Sequence, residues 1–129
     1  MKSCLVVDDS SVVRKIARRI LEELGFSVVE AEDGEQALEV CTKSLPDAVL
    51  LDWNMPVMDG YDFLGRLRRL PDGEGPKVVF CTTENDIDHI SRALNAGANE
   101  YIMKPFDKEI VAAKFQEVGL IQAMSAESA

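Results

Sequence analysis

Short apolar runs alternate with stretches of helical periodicity along the whole chain. Ser3 to Val7 is apolar and closes on Asp8-Asp9, after which Val13, Ile16, Ala17, Ile20, Leu21 and Leu24 recur at three- and four-residue spacing, one face of a helix. Ser10 or Ser11 caps its start and Gly25 ends it. Phe26 to Val29 predicts a second strand, and Asp33-Gly34 opens a helix through Ala37, Leu38 and Cys41 that stops before Pro46. Ala48 to Leu51 is unbroken in its hydrophobicity, as a strand buried on both faces must be, and it delivers Asp52. Asp59 caps a third helix carrying Phe63, Leu64 and Leu67, and a loop rich in Pro and Gly follows from Pro71 to Pro76. Val78 to Cys81 delivers Thr82, and a fourth helix with Ile87, Ile90, Ala93 and Leu94 ends at Gly97. Tyr101 to Met103 is the last strand, and Asp107 caps a final helix with Val111, Phe115 and Val118. Strands alternating with helices at this spacing predict an α/β fold, a parallel sheet covered on both faces.

A parallel sheet brings the ends of its strands together along one edge. Asp8-Asp9, Asp52, Thr82 and Lys104 all stand at such ends, so two neighbouring acids, a third acid, a hydroxyl and an ammonium meet in one crevice. Ligands of open α/β sheets bind there, outside the carboxyl ends of the strands. Crowded carboxylates repel, which favours a hard divalent cation with oxygen ligands, and Mg²⁺ is the natural choice. The constellation reads as a magnesium-assisted phosphoryl-acceptor site.

Composition limits the alternatives. With 129 residues, 47% of them hydrophobic, the chain has material for one core, a domain over 1–121 with a short polar tail over 122–129. A net charge of -9 and the lack of a basic helix face argue against nucleic-acid binding. Cys4, Cys41 and Cys81 lie inside apolar runs without metal-ligand spacing, so they read as buried reduced thiols, and a cytoplasmic setting is expected. No leader pattern or bilayer-length apolar run is present, so no membrane partner is expected.

With these motifs in place the chain resembles response-regulator receiver domains over roughly its whole length, in organisation the single-domain chemotaxis regulators of the CheY type. The family's acidic pair matches Asp8 and Asp9, its phosphorylated aspartate matches Asp52 in Asp52-Trp53-Asn54-Met55-Pro56, its switch hydroxyl matches Thr82, its lysine matches Lys104 before Pro105, and its aromatic switch residue falls on Tyr101. The resemblance implies a doubly wound, flavodoxin-like sheet of order 2-1-3-4-5 with five helices. It also implies an ion held by Asp9, Asp52 and the Asn54 backbone carbonyl, with Asp8 acting through water. Asp52 is then the phosphoacceptor, and Lys104 and Thr82 contact the phosphoryl oxygens. Asn54 and Glu84 flank the path of the hydrolytic water, and Thr83, larger than the Ala or Gly common in the family at that place, narrows access to Asp52, so the three tune hydrolysis. The implied partners are a sensor histidine kinase or phosphotransfer protein and a downstream target at the face of the fourth helix, fifth strand and last helix. A monomeric phosphorylatable switch acting in chemotaxis or flagellar motor control is expected, rather than an enzyme. A regulator of stress or development, or a phosphate sink, would carry the same residues.

Two other classes fit less well. An aspartyl-phosphate phosphatase of the haloacid dehalogenase type needs a second acid two residues after its nucleophile, where this chain has Asn54. A nucleotide or flavin site wants a glycine-rich loop after the first strand, and Asp9-Ser10-Ser11-Val12 has none. Simpler roles are assigned to other residues: His89 reads as a solvated helix residue, Met55 and Met58 as loop packing, and Arg14, Lys15, Arg18 and Arg19 as a solvated helix face with Arg18-Glu22 and Arg19-Glu23 pairs.

Overall fold

The computed structural model describes residues 2–82 and 87–121, Ile87 through its backbone alone. In chain order the elements are β1 (Ser3–Val7), α1 (Ser11–Glu23), β2 (Ser27–Ala31), α2 (Gly34–Lys43), β3 (Ala48–Asp52), α3 (Gly60–Arg69), β4 (Lys77–Thr82), α4 (Ile87–Asn95), β5 (Glu100–Met103) and α5 (Lys108–Glu117). All strand pairs are parallel, as the alternation of strands and helices predicted, and the sheet order is β2-β1-β3-β4-β5, as the resemblance implied. The strand end set furthest too early was that of β2, which runs on through Glu30 and Ala31 because these pair with Val6 and Val7, while β3 and β4 each run one residue further, through Asp52 and Thr82. Glu30 breaks the apolar run, but an edge strand tolerates a charge.

Four helices begin on the side-chain caps expected for them. Ser10, Asp33, Asp59 and Asp107 accept from the backbone N–H of Val13, Gln36, Asp62 and Ile110. Each such cap stabilises its helix by about 1 kcal/mol and fixes where the preceding loop leaves the sheet edge.

Side-chain alternation along the strands divides the core in two. Leu5, Val7, Val49, Leu51, Val78 and Phe80 point to one face, under Ala37 and Cys41 of α2, Phe63, Leu64 and Leu67 of α3 and Ala93 of α4. Cys4, Val6, Leu50, Val79, Cys81 and Ile102 point to the other, under Ala17 and Leu21 of α1 and Val111 and Phe115 of α5. The rings of Phe26 and Phe115 meet edge to face at 5.4 Å on that second side. All three cysteines are free and buried, and burial pushes the Cys4 thiol up to about 12 and that of Cys41 to about 11, so both are inert at neutral pH. Among the described residues no helix is long and apolar enough to cross a membrane.

Candidate functional site

The chain leaves β1 toward β2 on one side and returns through α2 to β3 on the other, so the crevice opens where β1 and β3 lie side by side. Asp8 follows the last residue of β1 and Asp52 is the last residue of β3; Val7 and Leu51 are register partners just beneath them. Both aspartates are buried, Asp8 at 3% exposure and Asp52 at 8%. Asp8 Oδ1 accepts the Ser10 N–H at 2.9 Å, and the Asp8 N–H donates to the Ala31 carbonyl at 3.1 Å. Lys104 follows the end of β5, and its backbone N–H donates to the Thr82 carbonyl at 2.8 Å. Its Nζ lies 2.7 Å from Asp8 Oδ2 and 3.3 Å from Asp52 Oδ1. One ammonium thus serves two buried carboxylates.

That balance leaves the site short of positive charge. Burial, with the Asp8 carboxylate beside it, pushes the Asp52 carboxyl up to about 6, and Lys104 only partly opposes this. Burial disfavours the Lys104 ammonium, but the hydrogen bond to Asp8 and the nearby Asp52 charge outweigh it and raise its pKa. Asp9 is exposed, and carboxylate oxygens of Asp8, Asp9 and Asp52 lie within 4.8 Å of one another. Three carboxylates and one ammonium sum to two negative charges, and the donors are all hard oxygens. The set fits a small divalent cation such as Mg²⁺.

The other residues singled out in the sequence are distributed around this centre. Thr82 ends β4, half-buried, and Asn54 is exposed in the loop after β3. Tyr101 stands opposite Phe80 in the β4–β5 register, half-buried against the α2–α3–α4 side of the core, with Lys114 Nζ 5.1 Å from its ring centroid. Thr82 pairs with Met103 two residues on, so Thr82 and Tyr101 share a face of the sheet. Thr83 and Glu84 lie outside the described residues, as does the tail over 122–129. On the face expected to receive a target, Asp88 and Arg92 are exposed while Ala112 and Lys114 are half-buried.

Two readings of side chains change. His89 is not merely solvated: its ring stacks on Trp53 at 4.7 Å and 21°, because α4 passes directly over the loop that follows Asp52. Trp53 also packs on Phe80 at 5.2 Å and Tyr61 at 5.4 Å, and the Arg92 guanidinium sits 4.8 Å from the Tyr61 centroid. The residue next to Asp52 therefore ties α3, β4 and α4 together. Arg18 and Arg19 make the expected pairs with Glu22 and Glu23, but Arg14 turns inward and is only 14% exposed. Its Nη1 donates to the Asp8 main-chain carbonyl at 2.8 Å and its Nε to Glu30 Oε1 at 3.0 Å. The signal was present in the sequence: Arg14 lies in line with the buried Ala17 and Leu21 at i, i+3 and i+7, a cation on an apolar stripe.

Comparison with known proteins places this geometry. The family model described as response regulator receiver domain matches residues 4–116. A chemotaxis protein CheY homolog of Campylobacter jejuni is 40% identical over 116 residues, covering 88% of this chain and 89% of that protein. The structure of the Vibrio cholerae chemotaxis protein CheY4 superposes with a TM-score of 0.87 at 31% identity, over 92% of this chain and 98% of that one. The receiver domain of a Pseudomonas aeruginosa sensor histidine kinase, with a magnesium ion coordinated in its active-site cleft, superposes with a TM-score of 0.83 at 28% identity, over 90% of this chain and 95% of that one.

Proposed function

The chain belongs to the response regulator receiver family, and from that premise we propose that it is a single-domain response regulator that takes a phosphoryl group on Asp52 and changes its affinity for a target protein. The observation that carries this is the buried Asp52, held between a second buried carboxylate and the Lys104 ammonium at the sheet's switch point. In the transfer, an Asp52 carboxylate oxygen forms a bond to the phosphorus of the donor's phosphohistidine. The P–N bond breaks, its electron pair leaves with the imidazole, and an acyl phosphate remains on Asp52. Lys104 Nζ, already 3.3 Å from Asp52, moves its hydrogen bonds to a phosphoryl oxygen, and the Thr82 hydroxyl donates to another. Asp9, Asp52 and the Asn54 carbonyl would hold Mg²⁺, with Asp8 reaching it through water. When bound, the ion supplies charge neutralisation for the phosphoryl oxygens, which is most of what phosphoryl transfer needs. Asn54, Thr83 and Glu84 set the later attack of water.

The relatives named for chemotaxis favour a role in that pathway, with a histidine kinase as donor, a cytoplasmic setting and a monomeric receiver over 1–121. The family's members are signalling switches rather than enzymes with an external substrate, and this chain assists its own phosphorylation and dephosphorylation. Incubation with a small phosphodonor and Mg²⁺, followed by intact mass, should show one phosphate on the unaltered chain and none with EDTA or on Asp52→Asn. Phosphate on Asp52→Asn, or equal labelling in chelator, would refute the assignment.

Output is read through Thr82 and Tyr101. Once Thr82 moves toward the phosphoryl oxygens it vacates space on the sheet face it shares with Tyr101, and the ring turns inward to fill it. A partner on the α4–β5–α5 face reports phosphorylation only if it binds that inward state better than the outward one. Thr82→Ala should therefore still accept phosphate but lose most of the phosphorylation-dependent gain in target affinity. A full gain in that variant means the signal travels another way.

A further inference from the structure

We propose that Arg14 is a positioning residue for the metal-binding acids: anchored by Glu30 on the edge strand, its guanidinium pins the Asp8 main-chain carbonyl and thereby sets where Asp9 points. The inference rests on the reading that Asp8, Asp9 and Asp52 hold Mg²⁺.

The two carboxylates of the pair are constrained very differently. Asp8 is held at its backbone N–H by Ala31, at Oδ1 by Ser10 and at Oδ2 by Lys104. Among the described residues nothing donates to the carboxylate of Asp9, which is exposed. Its position depends on the backbone that carries it, and the peptide leading into it is the Asp8–Asp9 unit whose carbonyl receives Arg14 Nη1 at 2.8 Å. Turning that peptide plane swings Asp9 away from Asp52. The guanidinium resists the turn because Glu30 fixes it in place.

Glu30 is itself well anchored. Oε1 receives Arg14 Nε at 3.0 Å and Oε2 receives Arg18 Nε at 2.6 Å, while Arg18 Nη1 reaches Glu22 at 3.2 Å. The hydrogen bond from Arg18, with that from Arg14 added, holds the Glu30 carboxyl below its ordinary range against the opposing effect of burial. A line of alternating charge therefore runs from the surface of α1 through β2 to the backbone of the acidic pair. Arginine suits the inner position because its rigid planar fork addresses a carboxylate and a carbonyl at once, whereas lysine carries one strongly hydrated nitrogen on a flexible stem.

Positioning and charge predict opposite signs. As a cation near the site, Arg14 repels Mg²⁺, so its removal would tighten metal binding if charge were its only contribution. If it holds Asp9 in place, its removal weakens binding, as the loss of outer-shell partners does in metal sites, by about tenfold or more.

Calorimetric titration of the full chain with MgCl₂ at fixed ionic strength, paired with urea unfolding in EDTA, separates these. Arg14→Gln should raise the Mg²⁺ Kd about tenfold. Arg14→Lys should raise it several-fold although it keeps the charge, and Glu30→Gln should raise it less. Arg19→Gln removes an equal charge from the exposed side of α1 and should leave Kd unchanged. Should Arg14→Gln not fold, Glu30→Gln carries the same test. An unchanged or lower Kd in Arg14→Gln, or in Glu30→Gln where that stands in, overturns the proposal and leaves the network as a staple between α1 and β2, visible only in unfolding. Failure of the unaltered chain to bind Mg²⁺ overturns the magnesium reading and this proposal with it, and is distinct from the first result because it needs no variant.

Discussion

Asp52→Asn should make the metal-free protein more stable at neutral pH, by on the order of 2–3 kcal/mol. Burial and the neighbouring Asp8 carboxylate raise the Asp52 carboxyl from 3.8 to about 6 in the folded chain. A carboxyl raised in this way contributes its full stability below its unfolded value, where it is protonated in both states, and loses it as pH rises through the folded value. At neutral pH the folded chain therefore bears the ionised group at a cost of roughly 1.4 kcal/mol for each unit of the rise. Asparagine keeps the shape and stays neutral, so the gain should develop between about pH 4 and 6 and vanish at the acid end. Urea unfolding in EDTA at acid and neutral pH checks it, and saturating Mg²⁺ should narrow the difference because the ion relieves the same repulsion. An asparagine variant no more stable than the parent at neutral pH would show that Lys104 already balances the site. The destabilisation is what a binding site for a cation and an anionic donor requires: charge left uncompensated until its ligands arrive.

The same logic explains which parts of the protein were legible in the sequence. Asp8, Asp52, Thr82 and Lys104 could be placed together because each ends an apolar run, and parallel strands have only one edge on which to display their C-terminal residues. Ala48 to Leu51 revealed a strand buried on both faces because no polar residue interrupts it. Glu30 misled for the opposite reason, since its pairing with Val6 is a property of a neighbouring strand rather than of its own run. His89 was hidden because its partner, the ring of Trp53, is remote in sequence, and for Arg14 the apolar stripe signalled an inward side chain but not its partners, the Asp8 carbonyl and Glu30. Periodicity shows which face of a helix is buried, but a charged or aromatic side chain on its margin goes wherever tertiary packing offers a partner.

Gly60→Ala should damage both stability and phosphorylation, because the clash it makes falls on the backbone that carries Asp52. Gly60 is the first residue of α3 after the Asp59 cap, and its N–H donates to the Trp53 carbonyl at 2.9 Å. A Cβ there would overlap the main-chain carbonyl oxygen of Asp52 and stand 2.9 Å from Phe80 Cε1. Neither neighbour can yield cheaply, since one is the backbone of a fully buried strand and the other a core ring at 2% exposure. Either α3 lifts from the sheet or the end of β3 shifts, and the expected cost is about 3 kcal/mol, at the upper end for overpacking. Because the displaced atoms carry Asp52, function should fall further than stability: a misplacement of about 1 Å can cost on the order of a hundredfold in rate. Gly65→Ala in the same helix is the internal control. Its Cβ would meet only the tip of Arg69 at 3.9 Å, so the better helix former should stabilise by roughly 0.5–1 kcal/mol and leave phosphorylation unchanged. Urea unfolding and initial phosphorylation rates on the two variants decide the matter. Equal behaviour of the two alanines would mean that the loop between β3 and α3 is free to move, and that Gly60 does not fix Asp52 in place.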